Sequence, residues 1–268
     1  ASNLRLLSDD VFCALPLHAQ PVADGSPNVP DNTPAFPEQT EAPERLTMGY
    51  AVEPLAEGLD QPWAVAVLPG DEGYLVTERG GDLHHVSRTG EISAPLTGVP
   101  EVRAQQQGGL LDVAVAPDFA DSRVIYLTYA APAGIGRSAT VAARAVLSGD
   151  RRALTDLVEI FEQTPPSVAP AHFGSRVQPL PGGSLAITTG DRFVARDRAQ
   201  DISASYGVVA RVRPDGTPDP ENPFLQTDGA LPEILSYGHR NIQGAAVHPD
   251  TGALWTIEHG PAGGDELN

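Results

Sequence analysis

Residues 107–130 read "QGGLLDVAVAPDFADSRVIYLTYA": an apolar run, a turn centred on Pro117, and a second apolar run that ends in small and polar residues. The layout is that of two strands joined by a tight turn. It recurs three more times, in "PWAVAVLPGDEGYLVTERG" (62–80), "HFGSRVQPLPGGSLAITTGDR" (172–192) and "RNIQGAAVHPDTGALWTIEHGP" (240–261). The turn prolines Pro69, Pro117, Pro181 and Pro249 are separated by 48, 64 and 68 residues. Those intervals fit four-stranded propeller blades with loop insertions, since a blade takes ~40 to 50 residues. Further strand candidates, "DLHHVS", "ATVAARAVL" and "VVARVRPDG", fall between the paired strands as such blades require.

Composition agrees with an all-β chain. Among 268 residues there are 27 Gly and 26 Pro, which leaves few stretches long enough for helices. Asp and Glu outnumber Lys and Arg by 35 to 17, for a net charge of −18. That charge repels a phosphate backbone, so nucleic acid is not an expected partner. The single cysteine, Cys13, allows no internal disulfide and no cysteine-based metal site, which directs any metal expectation to oxygen ligands and calcium. No run of 18 apolar residues exists, so no membrane span is expected. The segment "VFCALPLHAQ" (11–20) has the texture of a secretory apolar region, although two Asp precede it. Residues 1–47 are Pro-rich and acidic and read as a tail or linker, with the propeller domain running over 48–268.

The repeat also indicates where side chains converge. If the first strand of each pair is innermost, the residues preceding it share one face around a central axis. Gln107 lies ten residues before its turn proline, His172 nine, and Arg240 and Asn241 nine and eight. Antiparallel return of the second strand brings "TER" (77–79), "GDR" (190–192) and "EHGP" (258–261) to that same face.

At these residues a specific resemblance emerges. "QGGLLDVAVAPDF", "HFGSR", "GDR", "ENPF", "SYGHRNIQG" and "EHGPAGGDELN", in this order and spacing, resemble the soluble pyrroloquinoline quinone (PQQ)-dependent sugar dehydrogenases. Within that glucose/sorbosone dehydrogenase family they are most similar to the aldose sugar dehydrogenase branch. The resemblance covers about residues 55–268. It implies a six-bladed β-propeller, of which this chain supplies about four blades, with PQQ and Ca²⁺ at the channel mouth and oxidation of aldoses at C1 to lactones. An external electron acceptor, a periplasmic or secreted location and a possible homodimer follow from the same resemblance.

Carried over residue by residue, the resemblance makes His172 the general base for the anomeric hydroxyl proton, a task suited to an imidazole. Arg240 and Asn241 match contacts to the quinone and its carboxylates, with Arg240 placed to stabilise developing negative charge. Gln107 matches a polar contact to PQQ. In the segment "GPAGGDELN", Gly260 and Pro261 match carbonyl ligands of calcium, with Asp265 and Glu266 as supporting carboxylates. Asp191 and Arg192 read equally as an ion pair or as ligand contacts. His239 and His259 read as scaffold, Trp63 as core packing, and Asp112 and Asp118 as turn or blade-edge carboxylates.

Two departures from the family pattern stand out. Ser175 replaces a usual glycine in "HFGSR", a change expected to narrow the approach to the cofactor. The later "NYGWP"-like stretch and two further blades have no counterpart in these 268 residues, which reads first as a fragment of a longer protein, and otherwise as edges paired with another chain or as a propeller that closes differently. Two other functions stay open on the residues alone: a calcium-dependent propeller hydrolase of lactonase type, and a non-catalytic ligand-binding propeller.

Overall fold

The computed structural model describes Gly49, residues 51–261 and residues 264–268. The expected tail at 1–47, Met48 and Cys13 therefore lie outside the described residues. The chain divides into two units. One comprises Ala1–Leu55 and Pro261–Gly264; among its described residues there is no strand or helix, and the Pro261 carbonyl accepts the Gly264 N–H at 2.6 Å. The other, Ala56–Gly260 with Asp265–Asn268, contains every strand among the described residues.

That second unit is all-β and propeller-like, built from four antiparallel sheets whose strands are ordered as they occur in the chain. The first sheet holds β1 (Pro62–Leu68), β2 (Gly73–Glu78) and β3 (Leu83–Val86). The second holds β4 (Leu110–Val115), β5 (Val124–Pro132), β6 (Ser138–Leu147) and β7 (Leu154–Glu162). The third holds β8 (Gly174–Pro179), β9 (Leu185–Thr189), β10 (Val208–Val212) and β11 (Ile234–Tyr237). The fourth holds β12 (Ile242–Val247), β13 (Leu254–Glu258) and β14 (Glu266–Leu267). Among the described residues helix is confined to one turn, Phe119–Ser122, and a 3₁₀ segment, Arg196–Gln200.

Each of the four prolines sits where the repeat puts it, in the turn between the first and second strand of a sheet. The fixed φ of proline favours the turn, and its missing N–H costs nothing outside the ladder. The first strands are neighbours in space: β1 lies beside β4, β4 beside β8, and β8 beside β12. Packing between successive sheets forms the core. Leu68, Leu75 and Leu83 meet Leu110, Leu127 and Val141 between the first and second sheets. Tyr126, Ala142 and Phe161 meet Val177, Ile187 and Val212 between the second and third. Ala186 and Val209 meet Ile242 between the third and fourth. Burying each such aliphatic side chain contributes roughly 1.5–3 kcal/mol.

A recurring device fixes the inner strands. Every first strand carries a bulge near its start, between Pro62 and Ala64, Leu110 and Val113, Gly174 and Val177, and Ile242 and Gly244. A bulge leaves an N–H out of the ladder. In three sheets a threonine on the second strand accepts it: Ala64 N–H on Thr77 Oγ1 at 3.0 Å, Asp112 on Thr128 at 3.0 Å, and Arg176 on Thr188 at 2.9 Å. Two of these hydroxyls then donate to the next sheet, Thr77 to the Leu111 carbonyl at 2.6 Å and Thr128 to the Ser175 carbonyl at 2.7 Å. The fourth sheet has Ile257 at the corresponding position, and it is exposed.

Asp112, expected at a turn or blade edge, is instead buried between sheets. Its carboxylate takes Arg176 Nη1 at 3.0 Å and the Val177 N–H at 2.9 Å. Burial nevertheless pushes its pKa up from the ordinary aspartate value, against the pull of Arg176. The outer faces of the first and last sheets are apolar: Val65 and Val67 on β1, Trp255 and Ile257 on β13 and Leu267 on β14 are all exposed.

Candidate functional site

The segments entering β4, β8 and β12 and leaving β9 and β13 converge on one side of the second unit, as the antiparallel register requires. They surround a cavity of about 270 Å³ lined by residues of all four sheets and their entry segments, among them Trp63, Arg79, Gln107, Phe173, Asn241 and His259. Trp63 packs against Leu111, Ala130 and Phe173, as its reading as core packing expects, and also forms part of the cavity wall, with the Arg176 guanidinium 4.4 Å over its ring. Gln107 and Asn241 also line the wall. His172 and Arg240 flank it, each adjacent in the chain to a lining residue, Phe173 and Asn241 respectively.

His172 is buried, and its backbone N–H donates to Gln107 Oε1 at 2.8 Å. Its Nδ1 lies 2.7 Å from Asp191 Oδ1, which also accepts the Phe193 N–H at 2.7 Å. A buried carboxylate already taking one N–H is an acceptor, so it fixes the proton on Nδ1 and leaves Nε2 as a lone pair. Among the described residues Nε2 has no hydrogen-bond partner. Phe193 closes edge-on against the imidazole with ring centroids 5.2 Å apart. The backbone beneath is tightly constrained. Gly190 accepts no side chain, because a Cβ there would run into the His172 carbonyl. Gly174 has φ +65°, and a Cβ would meet the Thr189 backbone at 2.6 Å.

Asp191 and Arg192 do not pair with one another. Neighbouring residues leaving a strand point to opposite sides, and Arg192 turns inward, fully buried, with its guanidinium 3.8 Å over Phe173. It donates to Ser138 O, Ser138 Oγ, Gln163 Oε1 and the Ala169 and Ala171 carbonyls. With no carboxylate beside it among the described residues, burial lowers its pKa to about 10. Arg192 is scaffold and Asp191 holds the histidine.

Ser175 does not narrow the cavity. It is fully buried, its hydroxyl donates to the Phe173 carbonyl at 3.2 Å, and it is not a lining residue. The departure from glycine instead leaves a serine at φ +79°, in the region that favours glycine.

On the facing strand pair, Glu258 organises the loop that carries Arg240 and Asn241. Its carboxylate accepts Nδ1–H of His239 at 2.9 Å, the Arg240 N–H at 2.6 Å, the Asn241 N–H at 3.3 Å and the Asn268 amide at 3.0 Å. Burial alone would raise its pKa, but these donors outweigh it and hold the carboxyl below the usual glutamate value. His239 is scaffold, as expected. Asn241 Oδ1 accepts from the Gly174 N–H at 3.2 Å and from Gln243 Nε2 at 3.0 Å. Arg240 Nη1 donates to the His259 carbonyl at 2.8 Å, and among the described residues its guanidinium faces no carboxylate. A cation so placed suits an anionic ligand in bidentate geometry.

Of the four residues expected at a metal, Gly260 and Asp265 are joined directly, the Gly260 N–H donating to Asp265 Oδ1 at 2.9 Å. Glu266 is exposed on β14, opposite Glu258 in register. Pro261 belongs to the other unit, and residues 262 and 263 lie outside the described residues. The donors in this segment are carboxylates and backbone carbonyls, hard oxygens of the kind calcium takes. The amides of Gln107, Asn241 and Gln243 with the guanidinium of Arg79 give the cavity the polar wall that a flat, carboxylated quinone needs.

Residues 59–268 match the glucose/sorbosone dehydrogenase family. The chain is 45% identical over 217 residues to the aldose sugar dehydrogenase YliI of Escherichia coli, covering 81% of this chain and 58% of that protein. The crystal structure of the soluble aldose sugar dehydrogenase from Escherichia coli in the apo form superposes with a TM-score of 0.78 at 44% identity, covering 81% of this chain and 62% of that one. The PQQ-bound aldose sugar dehydrogenase of Streptomyces coelicolor gives 0.70 at 32% identity, covering 81% and 62%. The chain therefore spans about three fifths of the length of these relatives. The ordered motifs, the propeller-like sheets and this match together place the chain in the glucose/sorbosone dehydrogenase family.

Proposed function

We propose that this chain carries the reaction face of a PQQ- and Ca²⁺-dependent dehydrogenase that oxidises aldoses at C1 to the lactone and passes electrons to an external acceptor. The observation that carries the reading is the buried Asp191–His172 pair beside a polar cavity, with the other imidazole nitrogen making no hydrogen bond among the described residues. Oxidation at an anomeric carbon removes a hydride from C1 and a proton from its hydroxyl. When bound, PQQ supplies the hydride acceptor and Ca²⁺ the Lewis acid.

His172 takes the hydroxyl proton on Nε2, while Asp191 holds Nδ1–H and stabilises the imidazolium that forms. Gln107 fixes the His172 backbone, and Asn241 ties its own loop to Gly174, so the base and the ligand wall are positioned from different sheets. Arg240, with no carboxylate partner among the described residues, answers the negative charge of the cofactor, with Asn241 beside it. Gly260, Pro261, Asp265 and Glu266 are the proposed calcium segment.

In this reading the four sheets are blades of a six-bladed propeller, supported by the apolar outer faces of β1 and β13, which further sheets would cover. A periplasmic or secreted location belongs to the same proposal. Among the described residues no helix is long and apolar enough to cross a membrane.

The test is a titration of the chain with PQQ in excess Ca²⁺, then aldose and a dye acceptor, beside His172→Ala. Saturable PQQ binding with dye reduction that His172→Ala loses is the expected result. PQQ binding with dye reduction unchanged in His172→Ala would sink the assignment of the base. Absence of PQQ binding in both this chain and a version extended to the length of its relatives would sink the cofactor reading.

A further inference from the structure

The β2–β3 hairpin gathers Glu78, Asp82 and His84, none of them a lining residue of the cavity, so that one donor atom from each lies within 4.8 Å of the others. The register explains the grouping. Val76 pairs with His84 and the Glu78 N–H bonds the Asp82 carbonyl at 2.8 Å, so residues 78, 82 and 84 fall on one face of the hairpin. Glu78 and Asp82 then stand opposite one another across the strands. Two like charges in that relation destabilise a hairpin unless something offsets them.

The histidine supplies an independent observation. His84 is nine-tenths buried, and its Nδ1 lies 2.8 Å from the Ser93 carbonyl. A carbonyl only accepts, so Nδ1 carries a proton and Nε2 is the ring nitrogen aimed into the cluster, the one that would bind a cation. Nε2 faces Glu78 Oε1 at 3.6 Å, too far for a hydrogen bond, and makes none among the described residues. That oxygen already accepts the Asp60 N–H at 2.8 Å. The fourth sheet shows a contrast at the equivalent glutamate, whose histidine comes from ahead of the first strand and not from the third strand. There Glu258 Oε1 takes His239 Nδ1 at 2.9 Å while the other ring nitrogen bonds Ser236 Oγ at 2.8 Å, so every polar atom of that pair is satisfied.

We propose that Glu78, Asp82 and His84 form a binding site for a zinc-class divalent cation, with His84 Nε2 and one oxygen of each carboxylate as ligands and water completing the shell. A histidine whose far nitrogen is anchored on a backbone carbonyl is the arrangement that metal-ligating imidazoles adopt. Bond lengths of about 2.0–2.2 Å in a tetrahedral shell put ligand atoms roughly 3.3–3.5 Å apart, close to the Nε2–Oε1 separation. Asp82 is exposed, so its carboxylate is free to swing onto the ion and the site is open to solvent. One imidazole with two carboxylates selects zinc-class ions over Ca²⁺, which prefers six to eight oxygens. The site is separate from the proposed calcium segment in its residues and in its ligand chemistry.

The experiment is calorimetric titration of the chelator-treated chain with Zn²⁺ in excess Ca²⁺, repeated with Co²⁺ to read its ligand-field absorption. One saturable equivalent is expected, weakened at least ~10-fold in Asp82→Asn and in His84→Gln. His239→Gln should leave it unchanged. Asp82 is exposed, so its substitution reports on the site without threatening the fold. Wild-type affinity in Asp82→Asn, or no saturable Zn²⁺ binding to the parent chain, would overturn the proposal.

Discussion

Replacing Asp191 with Asn tests the histidine pair most sharply. The side chain keeps its size and an oxygen that can accept the Phe193 N–H, but loses the charge that holds Nδ1–H of His172 and balances the imidazolium. Hydrogen bonds to a charged group are worth about 1.5–3 kcal/mol, and each ~1.36 kcal/mol in a barrier is tenfold in rate. Asp191 is only 4% exposed, so solvent does not replace the lost charge. A fall in kcat/KM of about 10- to 100-fold is therefore expected for the PQQ-loaded chain. Dye-reduction kinetics across pH give the rate, a PQQ titration gives the affinity, and NMR of the imidazole N–H reports the bond itself. Asp191→Asn should slow turnover, leave PQQ affinity within about threefold, and abolish the downfield Nδ1–H resonance, since a purely structural role would lower affinity and rate together. Unchanged kinetics with the resonance intact would refute the reasoning.

Arg240→Ala should weaken PQQ binding by about 10- to 100-fold, as expected for loss of a charge-assisted contact worth ~1.5–3 kcal/mol, and equilibrium titration checks it. Gly190→Ala should cost about 1–3 kcal/mol, because the new methyl meets the His172 carbonyl; urea unfolding measures it. Thr128→Val strands the Asp112 N–H and the Ser175 carbonyl together, for about 2–4 kcal/mol by the same assay. Glu258→Gln should destabilise the chain at neutral pH by about 1–3 kcal/mol. Because the Glu258 pKa is depressed in the folded state, its contribution is present above the ordinary value of 4.5 and lost as pH falls through the folded one; the gap between variant and parent should shrink in acid, as acid-unfolding curves would show.

Much of this architecture was legible because it is written locally. Alternating apolar residues and a turn proline specify a strand pair without reference to the rest of the chain, and all four pairs formed where Pro69, Pro117, Pro181 and Pro249 placed them. The convergence of Gln107, His172, Arg240 and Asn241 followed from the same register. What escaped depended on contacts between sheets. Asp112 looked like a turn carboxylate because its partner Arg176 lies 64 residues away. Asp191 was readable in principle: adjacent residues at a strand end diverge, so an ion pair with Arg192 was the poorer reading. Glu258 had a signal too, since "TER" and "IEH" put a glutamate at one repeat position, where each accepts the N–H of the residue two before its inner strand. The core packing of Trp63 was legible in its apolar ring, whereas its share of the cavity wall was not, since composition does not distinguish a wall from a core. Carbonyl ligands leave no side-chain signature at all.

The threonine hydroxyls that plug the inner bulges have one more consequence. In a simple array of repeats each unit keeps its own hydrogen bonds, and neighbours add only an interface. Here Thr77 and Thr128 each serve two sheets at once, accepting from one and donating to the next. A sheet that loosens takes its neighbour's bond with it, so the amides of Ala64, Asp112 and Arg176 should exchange as one cooperative unit. The first strands of the first three sheets are in effect joined by a single zipper, at right angles to the strands that it links.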